Sequence, residues 1–173
     1  MSSEDNLKEA FAGESQANRK YLAFAKKADE DGYHQIARLF RAAAQAETVH
    51  AHNHLKVLKG INSTEENLKE AIAGEVEEFK EMYPGFIEVA KEENNKEALW
   101  TFDVANQVEE IHADLYQKAL DSIGENVEVS YYVCNFCGNT VEKDAPDLCP
   151  ICGAPKSEFT KIDWIKVTFI IFF

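Results

Sequence analysis

The first ~125 residues show a helical pattern of apolar and polar positions. Apolar residues recur at three-, four- and seven-residue steps, the spacing that gives an α-helix one apolar face. Glycines that suit the end of a helix stand at Gly32, Gly60 and Gly124. The pattern therefore predicts four helices, with a kink at Pro84-Gly85 inside the third. Their predicted ranges are residues 3–30, 33–59, 63–93 and 96–123.

One charged residue interrupts the apolar face of the first predicted helix. Glu14 falls in register with Leu7, Phe11, Tyr21 and Ala25. Burial of a carboxylate is costly unless the group is paired or bound to a metal ion. The position of Glu14 therefore favours a metal ligand over a residue on a solvated helix face.

The helical region is a duplication. Residues 7–14, L-K-E-A-F-A-G-E, return as residues 68–75, L-K-E-A-I-A-G-E, with seven of eight positions identical. An E-x-x-H pattern also occurs twice, at residues 47–50 and 109–112. A single E-x-x-H is a weak signal, because it is common on solvated helix faces. Two copies in matching places are far more specific.

Two such hairpins predict a mainly α fold, a ferritin-like four-helix bundle. A glutamate and a histidine three residues apart lie on one side of a helix. Ferritin-like di-iron bundles take one Glu from each of two helices and one Glu-x-x-His from each of the others. Close helix approach at such a centre would account for Gly13 and Gly74 inside helices. The predicted donors are Glu14, Glu47, His50, Glu75, Glu109 and His112.

The composition changes after a polar linker at residues 126–130. The following segment, residues 131–166, has short strand and turn patterns and two C-x-x-C-G repeats. A unit of about 35 residues rarely folds without a metal or disulfides, and a chain without an export signal favours the metal. Four thiolates predict tetrahedral iron or zinc. We favour iron, because iron in such a site can carry electrons to the predicted di-metal centre. The alternative is a structural zinc ribbon. The predicted ligands are Cys134, Cys137, Cys149 and Cys152.

Charge and hydropathy limit the classes of partner. The formal net charge of −13 argues against nucleic acids and anionic membranes. Residues 1–20 lack the apolar segment of a signal peptide, and no run of ~18 apolar residues predicts a transmembrane helix. The apolar tail at residues 167–173 is too short to span a membrane, so we expect an extra β-strand or an interface contact. The predicted bundle domain covers residues 1–125.

Together these motifs resemble the rubrerythrin family over about residues 4–165. The matching stretches are A-F-A-G-E-S-Q-A at 10–17, A-E-T-V-H-A at 46–51, G-E-V-E-E at 74–78, M-Y-P at 82–84, E-E-I-H-A at 109–113, and both cysteine knuckles, which are rubredoxin-like. The resemblance implies a cytoplasmic non-haem iron peroxidase that reduces hydrogen peroxide to water in oxidative-stress defence. It also implies a di-iron centre, bridged by Glu47 and Glu109, and a mononuclear Fe(Cys)4 centre.

The resemblance adds three residues to the predicted site. Glu78 has no counterpart in the first helix, where Ala17 stands. By resemblance it is a di-iron ligand that exchanges with His50 on reduction, and otherwise it is one more surface acid. Tyr21 and Tyr83 match tyrosines of the family's site, for which a core aromatic role is the alternative.

The resemblance also implies partners. The electron donor would be a rubredoxin or a NAD(P)H-dependent reductase of the rubredoxin-reductase type. The chain would form a homodimer or larger oligomer, in which one subunit's rubredoxin-like domain faces the other's di-iron site, and helices could be exchanged between subunits. Three rival functions share part of the pattern: a ferritin-like iron store, a zinc-ribbon scaffold without redox turnover, and an oxygen-reducing oxidase.

Overall fold

The computed structural model of the protein describes residues 2–125 and 127–162. The predicted tail at 167–173 and the end of the predicted cysteine domain lie outside these residues. Within them, no helix is long and apolar enough to cross a membrane. The helices are α1 (Ser3–Glu30), α2 (His34–Val57), α3 (Thr64–Glu77), a π-helix (Glu78–Met82), α4 (Tyr83–Glu92) and α5 (Lys96–Asp121). The predicted mainly α fold with a small C-terminal strand region is confirmed.

The first compact unit, which ends at Ser63, is a hairpin of α1 and α2. A capping box begins α1: the Ser2 hydroxyl accepts from the Asp5 N–H, and the Asp5 carboxylate accepts from the Ser2 N–H. The helix ends before Gly32, which has φ of +81°, as predicted. The contact between the helices is built from alanines, which let the two backbones approach closely. The buried ones are Ala25, Ala28, Ala37, Ala44 and Ala51.

The second unit begins at Thr64 and packs α3 and α4 against α5. An aromatic cluster of Tyr83, Phe86 and Phe102 joins α4 to α5, with ring centroids 5.5 to 6.3 Å apart. The first unit holds the equivalent cluster 62 positions earlier, with centroids 5.5 to 6.3 Å apart. The duplication therefore extends to the packing of side chains. The first cluster is Tyr21, Phe24 and Phe40.

A π-helix distinguishes the second hairpin from the first. At the place where a kink was predicted, Pro84-Gly85, the helix changes from the π-helix to α4. Pro84 lies in the first turn of α4. The repeat offset is 61 residues before this point and 62 after it, so the second copy carries one extra residue. A π-turn accommodates one residue without breaking the helix. The insertion therefore appears as a wider turn rather than as a loop.

The glycines at the helix ends and interiors have different roles. The left-handed residue after α2 is Lys59, with φ of +56°, rather than the predicted stop Gly60. Gly60 is instead restricted by space, because a Cβ there would overlap Leu55 Cδ1 unless that side chain moved. Within its own hairpin, neither Gly13 nor Gly74 is restricted by space, since a Cβ at either position meets no atom within 4 Å. The close helix approach predicted at a centre built from two hairpins stays a prediction.

The cysteine segment forms a small antiparallel sheet within the second unit. Its strands are β1 (Tyr131–Cys134), β2 (Thr140–Glu142) and β3 (Phe159–Ile162). The order is β2-β1-β3, with Val133 opposite both Thr140 and Thr160. The sheet holds the first cysteine pair at the end of β1, and the second pair lies on the long connection before β3.

Candidate metal centres

The four cysteines converge on one point. Sulfur atoms lie 3.7 Å apart between Cys134 and Cys152, and 3.5 Å apart between Cys137 and Cys149. All four lie within 4.8 Å of one another. Ligand sulfurs ~2.3 Å from a tetrahedral metal would be about 3.8 Å apart. The spacing fits one metal ion, and the four-sulfur donor set fits iron or zinc.

Backbone turns hold each pair in place. The Gly138 N–H donates to the Cys134 carbonyl at 2.9 Å, and the Gly153 N–H donates to the Cys149 carbonyl at 2.9 Å. Both glycines have positive φ, 82° and 76°, which other residues rarely adopt. This explains why each C-x-x-C is followed directly by glycine, and why the motif is local enough to be recognised from the sequence.

The surroundings of the sulfurs favour a thiolate at Cys149. Burial raises the pKa of this thiol, but hydrogen bonds from the backbone of Cys152 and Ile151 and from the thiols of Cys137 and Cys152 together lower the pKa to about 7. Burial raises the pKa of Cys137 well above the usual range. In addition, the Asn139 side-chain amide donates to Cys149 Sγ at 3.6 Å. Asn139 is 1% exposed, and the sequence analysis did not identify it, because asparagine is not a metal ligand of this kind.

The first unit brings Glu14, Glu47 and His50 together, with one donor atom from each within 4.8 Å of the others. His50 Nδ1 lies 2.9 Å from Glu47 Oε2 within the E-x-x-H turn of α2. Glu14 reaches them from α1, and the Asn18 amide fixes the two helices by donating to the Ala44 carbonyl at 2.7 Å. This cluster could bind a cation through two carboxylates and one imidazole.

The second unit repeats this arrangement with Glu75, Glu109 and His112. His112 Nδ1 lies 2.7 Å from Glu109 Oε2 and 3.9 Å from Glu75 Oε1. Its other ring nitrogen, Nε2, lies 3.0 Å from the Thr140 hydroxyl. The structure therefore brings the six predicted Glu and His donors into two clusters of three, one in each unit.

Glu78 and Tyr83 lie beside the second cluster. The pKa values of Glu75 and Glu78 are both raised, mainly by burial and next by the negative charge of Glu109. Burial, followed by the charges of Glu109, Glu78 and Glu75, raises the pKa of Tyr83. The phenol therefore stays protonated at neutral pH and can donate a hydrogen bond. A bound cation would offset the repulsion between these carboxylates, so the site fits a metal ion.

The π-helix turns Tyr83 toward this cluster. Eight residues separate Glu75 from Tyr83, which in an unbroken α-helix would rotate Tyr83 by about 80° from Glu75. The wider π-turn removes much of that rotation. In α1 the corresponding tyrosine, Tyr21, follows Glu14 by seven residues and needs no such correction. The ring of Tyr21 packs against Phe24 and Phe40, just as the ring of Tyr83 packs against Phe86 and Phe102.

The donor sets are those of a non-haem di-iron centre and a mononuclear Fe(Cys)4 centre. Comparison with known proteins agrees. The rubrerythrin family profile matches residues 5–120, and the profile of the rubrerythrin rubredoxin-like domain matches residues 132–160.

Known relatives match most of the chain. Rubrerythrin-2 of Clostridium acetobutylicum is 40% identical over 172 residues, covering 90% of this chain and 94% of its own. Nigerythrin of Nitratidesulfovibrio vulgaris is 38% identical, covering 90% and 84%. A solved structure of fully reduced, all-ferrous nigerythrin superposes with a TM-score of 0.58 at 37% identity, covering 94% of this chain and 87% of that one. The chain therefore belongs to the rubrerythrin family.

Proposed function

We propose that this protein is a cytoplasmic peroxidase that reduces hydrogen peroxide to water in defence against oxidative stress. The observation that carries the proposal is the presence, in one chain, of two carboxylate–histidine clusters and a four-thiolate site. An iron store needs no thiolate electron carrier, and a zinc scaffold needs no carboxylate clusters. The combination favours an oxidoreductase that receives electrons at one site and uses them at another.

The proposed reaction consumes one peroxide, two electrons and two protons, and releases two waters. Iron bound at the two kinds of site would supply the electrons, in a pair at the carboxylates and singly at the thiolates. Glu14, Glu47, His50, Glu75, Glu78, Glu109 and His112 would hold the carboxylate-bound iron, with Glu47 and Glu109 as bridging ligands.

Side chains of the protein would also donate and accept protons. Tyr83, whose raised pKa keeps it protonated, can donate a hydrogen bond toward a substrate oxygen beside Glu75 and Glu109. The raised pKa of Glu78 makes it a ready proton acceptor whenever it is not a metal ligand. We propose that Glu78 and His50 alternate as ligands between the oxidised and reduced states. We propose the equivalent role for Tyr21, which follows Glu14 by seven residues on α1.

We propose a homodimer as the working form, with electrons from a rubredoxin or a NAD(P)H-dependent reductase of the rubredoxin-reductase type. A di-iron centre of the ferritin type needs donors from two hairpins, and each unit supplies one set of three. Large apolar side chains such as Phe24, Leu39 and Phe86 are 44–67% exposed in the chain, which favours an association that covers them.

A complementation experiment distinguishes exchanged from unexchanged hairpins. One chain carries Glu14→Ala with His50→Ala, and the other carries Glu75→Ala with Glu109→Ala. If units from different chains form each centre, refolding the two chains together restores one intact centre per mixed dimer. If each chain forms its own centre, neither partner is restored. Di-iron content, measured by metal analysis and Mössbauer spectroscopy, separates the two results.

The experiment that tests the proposed function combines a metal count with turnover. Protein purified after iron-replete anaerobic expression should be red, with thiolate-to-iron bands that bleach on reduction. Hydrogen peroxide should restore the colour of the reduced protein at a rate that dioxygen does not match. A colourless cysteine site with stoichiometric zinc, or no reaction with peroxide, would overturn the proposal. A faster reaction with dioxygen would favour the oxidase instead.

A further inference from the structure

We propose that the apolar segment after β3 closes a cavity in the second unit, with the side chain of Trp164 as its anchor. The cavity has a volume of about 330 Å³ and lies between α3, α5 and the small sheet. Leu68 lines it from α3, Leu115 and Ala119 from α5, and Tyr131 from β1. An occupant here would tie the cysteine segment to both helices, a role separate from metal binding and from peroxide turnover.

The lining of the cavity suits an indole ring. Its apolar side chains come from the two helices, and the hydroxyl groups of Tyr116 and Tyr131 border the same space. A tryptophan combines a large apolar ring with one N–H donor, which usually finds an acceptor when it is buried. A phenolic oxygen can accept that hydrogen bond. The volume admits one large side chain but not a helix, whose diameter with side chains is about 10–12 Å.

The register of the sheet brings the segment to this cavity. Ile162, the last residue of β3, is paired with Tyr131, the first residue of β1. Paired residues place their side chains on the same face of a sheet, and the face alternates along each strand. Two positions after Ile162 comes Trp164. Continued pairing would place Trp164 opposite Val129 and diagonal to Tyr131, at about 7–8 Å, which an aromatic side chain can reach.

The face of the sheet that carries Tyr131 is the face that meets α5. Glu142 of β2 is also paired with Tyr131, so their side chains lie on the same face. Glu142 forms an ion pair with Lys118 of α5. A Trp164 side chain in this register would therefore point toward the helix and the cavity rather than toward solvent.

The composition of the segment favours docking over exposure. In residues 164–173, W-I-K-V-T-F-I-I-F-F, every residue except Lys166 and Thr168 is apolar. Soluble monomers rarely expose a contiguous apolar surface of this kind. The cavity offers the first residue of this segment a place to bury its side chain, directly beside the point where β3 ends.

A second apolar cavity in the same unit serves as the comparison. It has a volume of about 390 Å³, and its lining comes from α4, α5 and the turn between them, including Phe86, Ala98 and Phe102. The register of β3 directs the segment to the first cavity, because Tyr131 lines that cavity and is the partner of Ile162. The two cavities therefore predict different responses to substitution.

The first test uses tryptophan fluorescence. The chain has two tryptophans, and Trp100→Phe leaves Trp164 as the single reporter. Trp100 is half-exposed, so the fold should survive this change. In full-length protein loaded with zinc, which is redox-inactive, we expect emission at shorter wavelength and acrylamide quenching several-fold weaker than in the urea-unfolded chain. Emission and quenching equal to those of the unfolded chain would overturn the proposal.

Cavity-filling substitutions in the Trp100→Phe background identify the cavity that the indole occupies. Ala119→Phe fills the proposed cavity, and Ala98→Phe is the matched control, because Ala98 is also a half-buried alanine of α5 and lines the other cavity. We expect only Ala119→Phe to move the emission to longer wavelength and to strengthen quenching several-fold. An equal response of both variants, or no response to Ala119→Phe, would refute the assignment.

Nuclear Overhauser contacts locate the indole without any substitution in the cavity. In the zinc-loaded protein, the methyl groups of Leu68, Leu115 and Ala119 should show contacts with the ring protons of Trp164. Isotope-filtered spectra of mixed labelled and unlabelled chains separate contacts within a chain from contacts between chains. Contacts that occur only between chains, or methyl groups that meet another copy of the hairpin and not Trp164, would overturn the proposal.

Discussion

Asn139→Leu is expected to lower the reduction potential of iron bound by the four cysteines. The Asn139 amide donates to Cys149 Sγ at 3.6 Å from a position that is 1% exposed. Reduction of the metal increases the negative charge on its sulfur ligands, so a donor stabilises the reduced state more than the oxidised state. Leucine has the same number and branching of side-chain heavy atoms as asparagine, although it is bulkier, and it removes the donor.

The magnitude follows from the strength of a hydrogen bond to a charged group, which contributes about 1.5–3 kcal/mol. If about one third of this strength depends on the redox state, the difference is roughly 0.5–1 kcal/mol. With about 59 mV per 1.4 kcal/mol for one electron, the potential should fall by about 20–40 mV. The fold should survive, because among the described residues the Oδ1 atom of Asn139 has no hydrogen-bond partner to lose.

The assay is a potentiometric titration of the thiolate-to-iron absorption band. Asn135→Leu is the matched control, since Asn135 lies in the same knuckle but its side chain is exposed and accepts from Thr160 at 2.9 Å. The control should keep the wild-type potential. A potential for Asn139→Leu that equals or exceeds that of the control would show that this amide does not tune the metal.

The remaining predictions concern metal binding. His50→Ala and Glu109→Ala each remove a donor atom, so both should lose bound iron by metal analysis while helical circular dichroism is retained; full iron content in both variants would contradict the assignment. Glu78→Ala should keep two irons but raise the di-iron potential, since an anionic ligand stabilises ferric iron more than ferrous iron. Crystal structures in both redox states with Glu78 away from the metal would refute its role. Removing metal from the cysteines should abolish hydrogen-exchange protection in β1 while α1 and α2 keep theirs, because thiolate coordination supplies folding energy to small domains.

Features that depend on nearby residues could be predicted from the sequence. The E-x-x-H pairs meet within one helical turn, so Glu47 with His50 and Glu109 with His112 follow from helix geometry alone. Each cysteine knuckle is closed by its own glycine, which is why the C-x-x-C-G spelling identifies it. The helix boundaries at Ser3, Thr64 and Lys96 also follow from local capping and turn signals.

The π-helix could be predicted only in part from the sequence. The sequence contains its cause, because the repeat offset changes from 61 to 62 residues between Glu75 and Tyr83. The offset does not say whether the extra residue forms a loop, a kink at Pro84 or a wider turn. The structure shows a π-turn that continues directly into α4, where Phe86 packs against Phe102 of α5.

The sequence by itself determined the duplication, the candidate metal ligands of each element and the family. Only the tertiary structure showed that Asn139 reaches a sulfur and that Thr140 reaches His112, 28 positions away in the chain. Asparagine and threonine are not the residues by which metal-binding motifs are recognised. Their roles depend on how a small sheet packs against a long helix, and such contacts between distant residues arise only when the chain folds.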